Sequence, residues 1–256
     1  MDQGTVFDFH RRNFVVIGAT SGIGRQITDE LLSSGAHVLA VARRKALLHE
    51  MQQEHPALLI SAMDVTAETM PEDLRHAAEA FVSKHGKIHG MVYTAGVTGV
   101  TPLRGYDEMQ ARTMMETSLW GAVRSLQILA RKKMAQRAAS FVILSSTAGR
   151  IGGRGMFAYA AAKAAITAAV KSLTHDLARD GHRINTISPA YVVTEMTERY
   201  NDDMGEPERI KERHLLGLGT PAQVSGMALF LLSDRATWIT GQDFAVDGGY
   251  LCGAWT

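Results

Sequence analysis

A single cysteine, Cys252, excludes an intrachain disulfide and any cysteine-built metal cluster. There are only six prolines, and no Pro/Ser-rich stretch or charge block divides the chain, so one domain over residues 1–256 is expected. An excess of one charge is missing too. The 27 basic and 26 acidic side chains leave a formal net charge of +1, too small a field to recruit nucleic acid or an acidic membrane. No run of about 18 uncharged apolar residues occurs, the length a membrane span needs. The start, Met1-Asp2-Gln3-Gly4-Thr5, lacks the apolar core of a signal peptide. A reduced, cytoplasmic setting is the expectation. No metal is expected, and the ten histidines read as solvated or capping residues.

What the chain does have is alternation. Short apolar runs at 14–17, 37–41, 58–62, 88–93, 141–144, 183–187 and 243–246 are nearly continuous in apolar residues. That is the pattern of strands covered on both faces. Helical patterns lie between them near 23–34, 44–55, 68–85, 106–136, 156–180 and 220–232. Such βαβ alternation predicts an α/β fold, a doubly wound parallel sheet of Rossmann type. The charged stretch 195–215 reads as a lid over a site or as a solvated helical excursion.

The first run leads into I-G-A-T-S-G-I-G at 17–24. Gly18, Gly22 and Gly24 stand where a strand turns into a helix. Unpaired amides at a helix start bind phosphate oxygens, and glycine lets a backbone approach them closely. Thr20 and Ser21 add hydroxyls, and Ile23 begins the apolar face of the helix. The spacing G-x-x-x-G-x-G fits a dinucleotide cradle; the alternative is a tight turn with no ligand. A second position bears on the choice. The end of the second strand meets the adenosine ribose in such folds, and an acid there bonds the 2′-hydroxyl of NAD. Here Ala42 occupies that slot, followed by Arg43 and Arg44. A guanidinium fork suits a 2′-phosphate, so NADP(H) is favoured over NAD(H). The alternative is two surface cations opening a helix, where the helix dipole disfavours them.

Tyr159 and Lys163 are four apart on a predicted helix and share a face. A free tyrosine has a pKa of about 10, and a nearby ammonium favours the phenolate. A tyrosine tuned in this way is a general acid for reducing a carbonyl, or a base for oxidising an alcohol. Ser146 follows the fifth strand, at the sheet end where such folds place ligands, and its hydroxyl is poised to hold a substrate oxygen. Ser145 is expected to point the other way.

With these residues in place the chain resembles the short-chain dehydrogenase/reductase family, in the compact branch typified by 3-oxoacyl-acyl-carrier-protein reductases. The resemblance runs nearly end to end. It covers the glycines at 18–24, Asp64-Val65, Ala95-Gly96, Ser146, Tyr159 with Lys163, Asn185, Pro189 with Thr194, and Asp247-Gly248-Gly249. It implies a seven-stranded parallel sheet in the order 3-2-1-4-5-6-7 and a homotetramer. It also implies hydride transfer between nicotinamide and a carbonyl/secondary-alcohol pair. Asp64 and Val65 would meet the adenine, and Ala95 and Gly96 the cleft wall. Pro189, Val192 and Thr194 would meet the nicotinamide end, and Lys163 the ribose hydroxyls. Met156 and Tyr191 are candidates for the substrate pocket beside Ser146.

The chain departs from the family pattern in three places. Ser118 stands where the family usually has the asparagine of a proton relay, and is read as its substitute. Tyr93-Thr94 replaces Asn-Asn before Ala95-Gly96, so neighbouring strands must be braced by other means. Pro189-Ala190 replaces Pro-Gly. Arg150 and Arg154 read as loop surface or as contacts for an anionic substrate. Other functions stay open: a tailoring reductase or dehydrogenase of a sugar or polyketide-type metabolite, or a nucleotide-binding regulator without turnover.

Overall fold

In the computed structural model, which describes residues 7–198 and 207–253, the apolar runs become one parallel sheet. Its strands are β1 (Asn13–Ile17), β2 (His37–Ala42), β3 (Leu59–Ala62), β4 (Ile88–Tyr93), β5 (Ala135–Leu144), β6 (Arg183–Pro189) and β7 (Asp243–Val246). Their order is β3-β2-β1-β4-β5-β6-β7. The helices are α1 (Gly22–Ser33), α2 (Lys45–Glu54), α3 (Met70–His85), α4 (Glu108–Met115), α5 (Gly121–Leu129), α6 (Ala148–Ile151), α7 (Phe157–Leu177), α8 (Pro207–Glu212) and α9 (Pro221–Leu232).

Alternation along each strand sorts the core onto two faces. Val15, Ile17, Leu39 and Val41 pack with Leu74 and Phe81 of α3, Leu126 of α5 and Ile166 of α7. Phe14, Val16, Val38 and Ala40 pack with Ile27 and Leu31 of α1, Met51 of α2 and Leu231 of α9. The central strand β1 is therefore buried throughout, as is β5 from Ala139 on, while the edge strands β3 and β7 are only half-buried. The strand order reverses between β1 and β4, which opens a crevice at their carboxyl ends.

The pattern over 106–136 predicts one helix, and the structure breaks it. Glu116–Trp120 is a π-turn joining α4 to α5, and α5 ends at Leu129. Strand β5 starts at Ala135, six residues earlier than its apolar run, and reaches the sheet through an irregular step in which Ala138 has φ 64°. Residues 130–136 hold no glycine or proline to mark the break, so sheet pairing overrides local helix propensity. His85 and His89 are four apart in sequence but share no helix face. His85 ends α3, and His89 lies in β4 with Nδ1 accepting the Asn13 amide at 3.0 Å. Among the described residues no group of three or more His, Cys, Asp or Glu is arranged to hold a metal. No described helix is long and apolar enough to cross a membrane.

Candidate active site

A cleft of about 510 Å³ lies at the crevice between β1 and β4, within the usual range for small-molecule sites. Its floor is the turn from β1 into α1. Gly18 has φ +93°, a conformation that disfavours a side chain, and its amide donates to Val41 O at 2.8 Å. Space is as restrictive as angle. A Cβ on Gly18 would stand 2.4 Å from Thr94 Oγ1, and one on Gly24 would stand 2.2 Å from Gly18 O. Ser21, the residue before α1, makes no side-chain cap, so its hydroxyl does not occupy the first amides of the helix. This bare, tightly packed turn facing a cleft fits a pyrophosphate.

One end of the cleft is built by β2, β3 and the segment after β6. Ala42 is buried, and Arg43 and Arg44 line the cleft beyond it. Arg43 lies 3.7 Å from Asp64, and Arg44 pairs with Glu195 across the mouth at 2.8 Å. These pairs are solvated, and such pairs contribute at most about 1 kcal/mol, so an incoming phosphate can displace the acids. Burial pushes the Asp64 carboxyl up, but bonds from the Thr66 amide and hydroxyl and the nearby Arg43 outweigh it and hold the pKa below the usual range. Asp64 stays ionised and keeps its turn locked to Thr66 at 2.9 and 2.7 Å.

The opposite end holds Tyr159, Lys163 and Ser146. The α7 helix places Lys163 under Tyr159, with Nζ 5.8 Å from the ring centroid. Lys163 is buried, and burial lowers its pKa from 10.5 to about 8. Its Nζ donates to Leu144 O at 2.9 Å, tying α7 to the end of β5. Ser145 turns away as strand alternation predicts, bonding the Lys163 carbonyl at 2.9 Å and Thr167 at 2.8 Å. Ser146 faces the cleft, its Oγ accepting the Ala148 amide at 3.2 Å. Gly149 lets α6 lie against α7, since a Cβ there would stand 2.8 Å from the Ala164 amide. Above Lys163, a Cβ on Gly96 would stand 3.5 Å from Nζ, so the cleft wall stays open to the ammonium.

The two unusual residues at the end of β4, Tyr93 and Thr94 just past it, brace the strand differently. Thr94 Oγ1 donates toward Ile17 O and Gly18 O at 2.9 and 3.2 Å, joining β4 to the glycine turn. Tyr93 reaches the other way, its hydroxyl donating to Thr117 O at 2.6 Å.

The cleft brings together Gly18, Thr20, Ser21, Gly22, Ile23, Gly24, Arg43, Arg44, Asp64, Val65, Ala95, Gly96, Ser146, Tyr159, Lys163, Pro189, Val192 and Thr194. Three expected residues do not line it. Ser118 is buried in the π-turn, its Oγ without a hydrogen-bond partner among the described residues, next to Thr117, which does line the cleft. Met156 sits at the start of α7, bridged to Thr101. Tyr191 turns to the segment behind it, with its hydroxyl on Thr197 O at 3.0 Å and its amide on His214 Nε2 at 3.3 Å. Arg150 is engaged by Asp243, Nε to carboxylate at 2.7 Å, which favours its reading as a structural residue. Thr98, Gly99, Thr117 and Glu195 line the cleft without having been singled out in the sequence. Gly99 alone carried a signal, as a glycine just past a strand end. Part of 195–215, residues 199–206, lies outside the described residues.

The comparisons with known proteins agree with this geometry. A family model described as Enoyl-(Acyl carrier protein) reductase matches residues 18–251. The 3-oxoacyl-acyl-carrier-protein reductase FabG of Chlamydia pneumoniae is 31% identical over 242 residues, 93% of this chain and 96% of that protein. Galactitol 2-dehydrogenase (L-tagatose-forming) of Cereibacter sphaeroides is 31% identical over 253 residues, 98% of this chain and 99% of that one. The solved structure of a short-chain type dehydrogenase/reductase from Mycobacterium ulcerans superposes with a TM-score of 0.86 at 27% identity, covering 96% of this chain and 92% of its own. With its cleft, its glycine turn and these relatives, the chain belongs to the short-chain dehydrogenase/reductase family and is an oxidoreductase.

Proposed function

We propose that the protein interconverts a carbonyl and a secondary alcohol, using NADP(H) in preference to NAD(H), with Tyr159 as the general acid/base. The observation that carries this reading is Lys163, a buried ammonium 5.8 Å from the Tyr159 ring centroid, at the cleft end opposite two arginines. Gly18, Gly22 and Gly24 with Thr20, Ser21 and Ile23 would hold the pyrophosphate. Arg43 and Arg44 would hold the 2′-phosphate, and Asp64 and Val65 the adenine. Ala95, Gly96, Pro189, Val192 and Thr194 would flank the nicotinamide. When bound, the nicotinamide supplies a hydride to the carbonyl carbon in reduction and accepts one in oxidation.

The chain's own residues handle the proton. Ser146 orients the substrate oxygen. Tyr159 gives its phenolic proton to that oxygen as the C–H bond forms, and the resulting phenolate is stabilised by the Lys163 ammonium. Lys163 then passes a proton back to Tyr159. Ser118, buried beside the cleft-lining Thr117, takes the relay place toward solvent. The 195–215 segment serves as the lid. Helix α7 presents Ala161, Ala164, Ala165, Ala168 and Ala169, small residues that allow close helix approach, and we propose a homotetramer with two-fold axes.

The test is a screen of β-keto esters, ketoses and aryl ketones with NADPH and NADH, read by cofactor absorbance. The reading predicts turnover with NADPH, abolished in Tyr159→Phe by the ~10²–10⁴-fold that general acid catalysis supplies. A Tyr159→Phe variant as active as the parent overturns it. A polyol or ketose substrate is the second reading, favoured by the galactitol dehydrogenase relative that matches 98% of this chain.

A further inference from the structure

The break in the helical stretch at Glu116–Trp120 has a specific cause. In an α-helix the Gly121 amide would donate to Thr117 O, four residues back. Here it donates to Glu116 O, five back, passing over Thr117. The Tyr93 hydroxyl, from β4, donates to the carbonyl so released at 2.6 Å. Tyr93 is 1% exposed and its ring packs in the core, so this hydroxyl has a fixed approach. Gly121 makes the approach possible. Its φ of −60° suits any residue, but a Cβ would stand 2.4 Å from Tyr93 Oη and 3.2 Å from Val65 Cβ. A second clamp holds the turn from outside. Glu116 pairs with Arg124, and Arg124 Nη2 donates to Val65 O at 3.1 Å. The turn held in this way carries Thr117 on the cleft wall and Ser118 with a buried, unpartnered hydroxyl.

We propose that Tyr93 and Gly121 form a matched pair that holds the π-turn open and thereby positions Ser118 for the proton relay. Tyr93 is a positioning residue in this scheme, acting through the turn rather than on substrate. The proposal rests on the reading of Ser118 as the relay residue. It also accounts for two features of the chain together: a tyrosine where the family has asparagine, and a glycine inside a helical stretch. The hydroxyl needs the glycine's missing Cβ, and the glycine's register needs the hydroxyl on Thr117 O.

The experiment uses the full chain with NADPH and ethyl acetoacetate, alongside hydrogen exchange of the segment 116–121 read by mass spectrometry. Tyr93→Phe should lower kcat about tenfold, the worth of one lost buried hydrogen bond, leave KM for NADPH within about twofold, and speed exchange of the turn. Ser118→Ala should lower kcat and shift the alkaline limb of its pH profile, and Tyr93→Phe should shift that limb in the same direction. The double variant should be no slower than Ser118→Ala alone. Gly121→Ala should disrupt folding or turnover, and adding Tyr93→Phe should restore the fold but not the rate. If Ser118→Ala is neutral, the relay reading falls and takes this proposal with it. If Ser118→Ala is slow while Tyr93→Phe is neutral, or the two losses multiply, only the Tyr93 proposal falls. Should the ester not turn over, unchanged exchange in Tyr93→Phe, or a Gly121→Ala protein that melts like the parent, overturns it.

Discussion

Lys163 should make the protein less stable than it would otherwise be, by an amount that depends on pH. Its ammonium is 4% exposed, and burial lowers its pKa from 10.5 to about 8. The folded state therefore disfavours the proton that the unfolded chain holds. The penalty is full below the folded value and fades as pH rises toward the unfolded one. With 1.36 kcal/mol per pKa unit it is about 3 kcal/mol at pH 6.5 and about 1.4 kcal/mol at pH 9.5. Lys163→Met keeps the volume and removes the charge. It also removes the bond to Leu144 O, at a cost of about 1–3 kcal/mol for the acceptor left behind.

The two effects nearly cancel or favour the variant at low pH. Lys163→Met should be up to about 2 kcal/mol more stable at pH 6.5, which raises Tm by about 4–8 °C for a chain of this size. At pH 9.5 the advantage should shrink by about 2 kcal/mol and vanish or reverse, by the same pKa arithmetic. Denaturant melts of both proteins at the two pH values measure it, with cofactor left out so that binding does not add to stability. A variant clearly less stable at pH 6.5, or a difference that does not move with pH, refutes the burial argument. The same variant should lose turnover, since nothing then stabilises the Tyr159 phenolate.

Arg43→Ala should weaken NADP(H) by ~1.5–3 kcal/mol and leave NAD(H) nearly unchanged, because the guanidinium bonds only the 2′-phosphate; fluorescence titration decides it, and equal losses for the two cofactors would count against the assignment. Gly24→Ala should abolish cofactor binding, as its Cβ would stand 2.2 Å from Gly18 O; calorimetry checks this against a melt showing a folded protein. Acid should destabilise the fold through His85, His89 and His182, each lowered first by burial. All three are neutral when folded and protonate more readily when unfolded, so stability is present above about pH 6.5 and falls as pH drops through that value and the lower folded ones. His89→Gln should flatten part of that slope in pH-dependent melts, and an unchanged slope would exclude His89. Light scattering at micromolar concentration should give four times the chain mass, and a monomer would refute the tetramer.

The sheet was legible because burial on both faces leaves its mark on composition. The central strands are apolar at nearly every position, and no other element type of that length needs to be. The proximity of Tyr159 and Lys163 was legible because a helix converts a spacing of four into a shared face, which α7 shows. Pairings between distant segments left no such mark. Arg44 and Glu195 are 151 residues apart, and nothing local says that they meet across the cleft mouth. Arg150 and Asp243 are 93 apart, and the arginine's role changes once the carboxylate is seen. Tyr191 pointed at the substrate only by its place after Pro189; its side chain is turned by Thr197, and its amide is held by His214.

The π-turn is the instructive case, because it had one sign in the sequence. Gly121 sits within a helical pattern, where glycine costs about 1 kcal/mol against alanine. A glycine kept at that cost in a helix usually has a packing reason. The reason here is a hydroxyl 28 residues earlier in the chain that reaches the helix only because β4 runs alongside it. A residue-by-residue reading sees two departures, Tyr93 for an asparagine and Ser118 for another. The structure links them through Thr117 O, so the residue that replaces the strand brace also bonds the turn that carries Ser118. Changing the two departures back should therefore have unlike effects: Tyr93→Asn should be costly, leaving Thr117 O beyond its reach and a gap beside Gly121, whereas Ser118→Asn keeps the turn intact and should preserve or raise turnover.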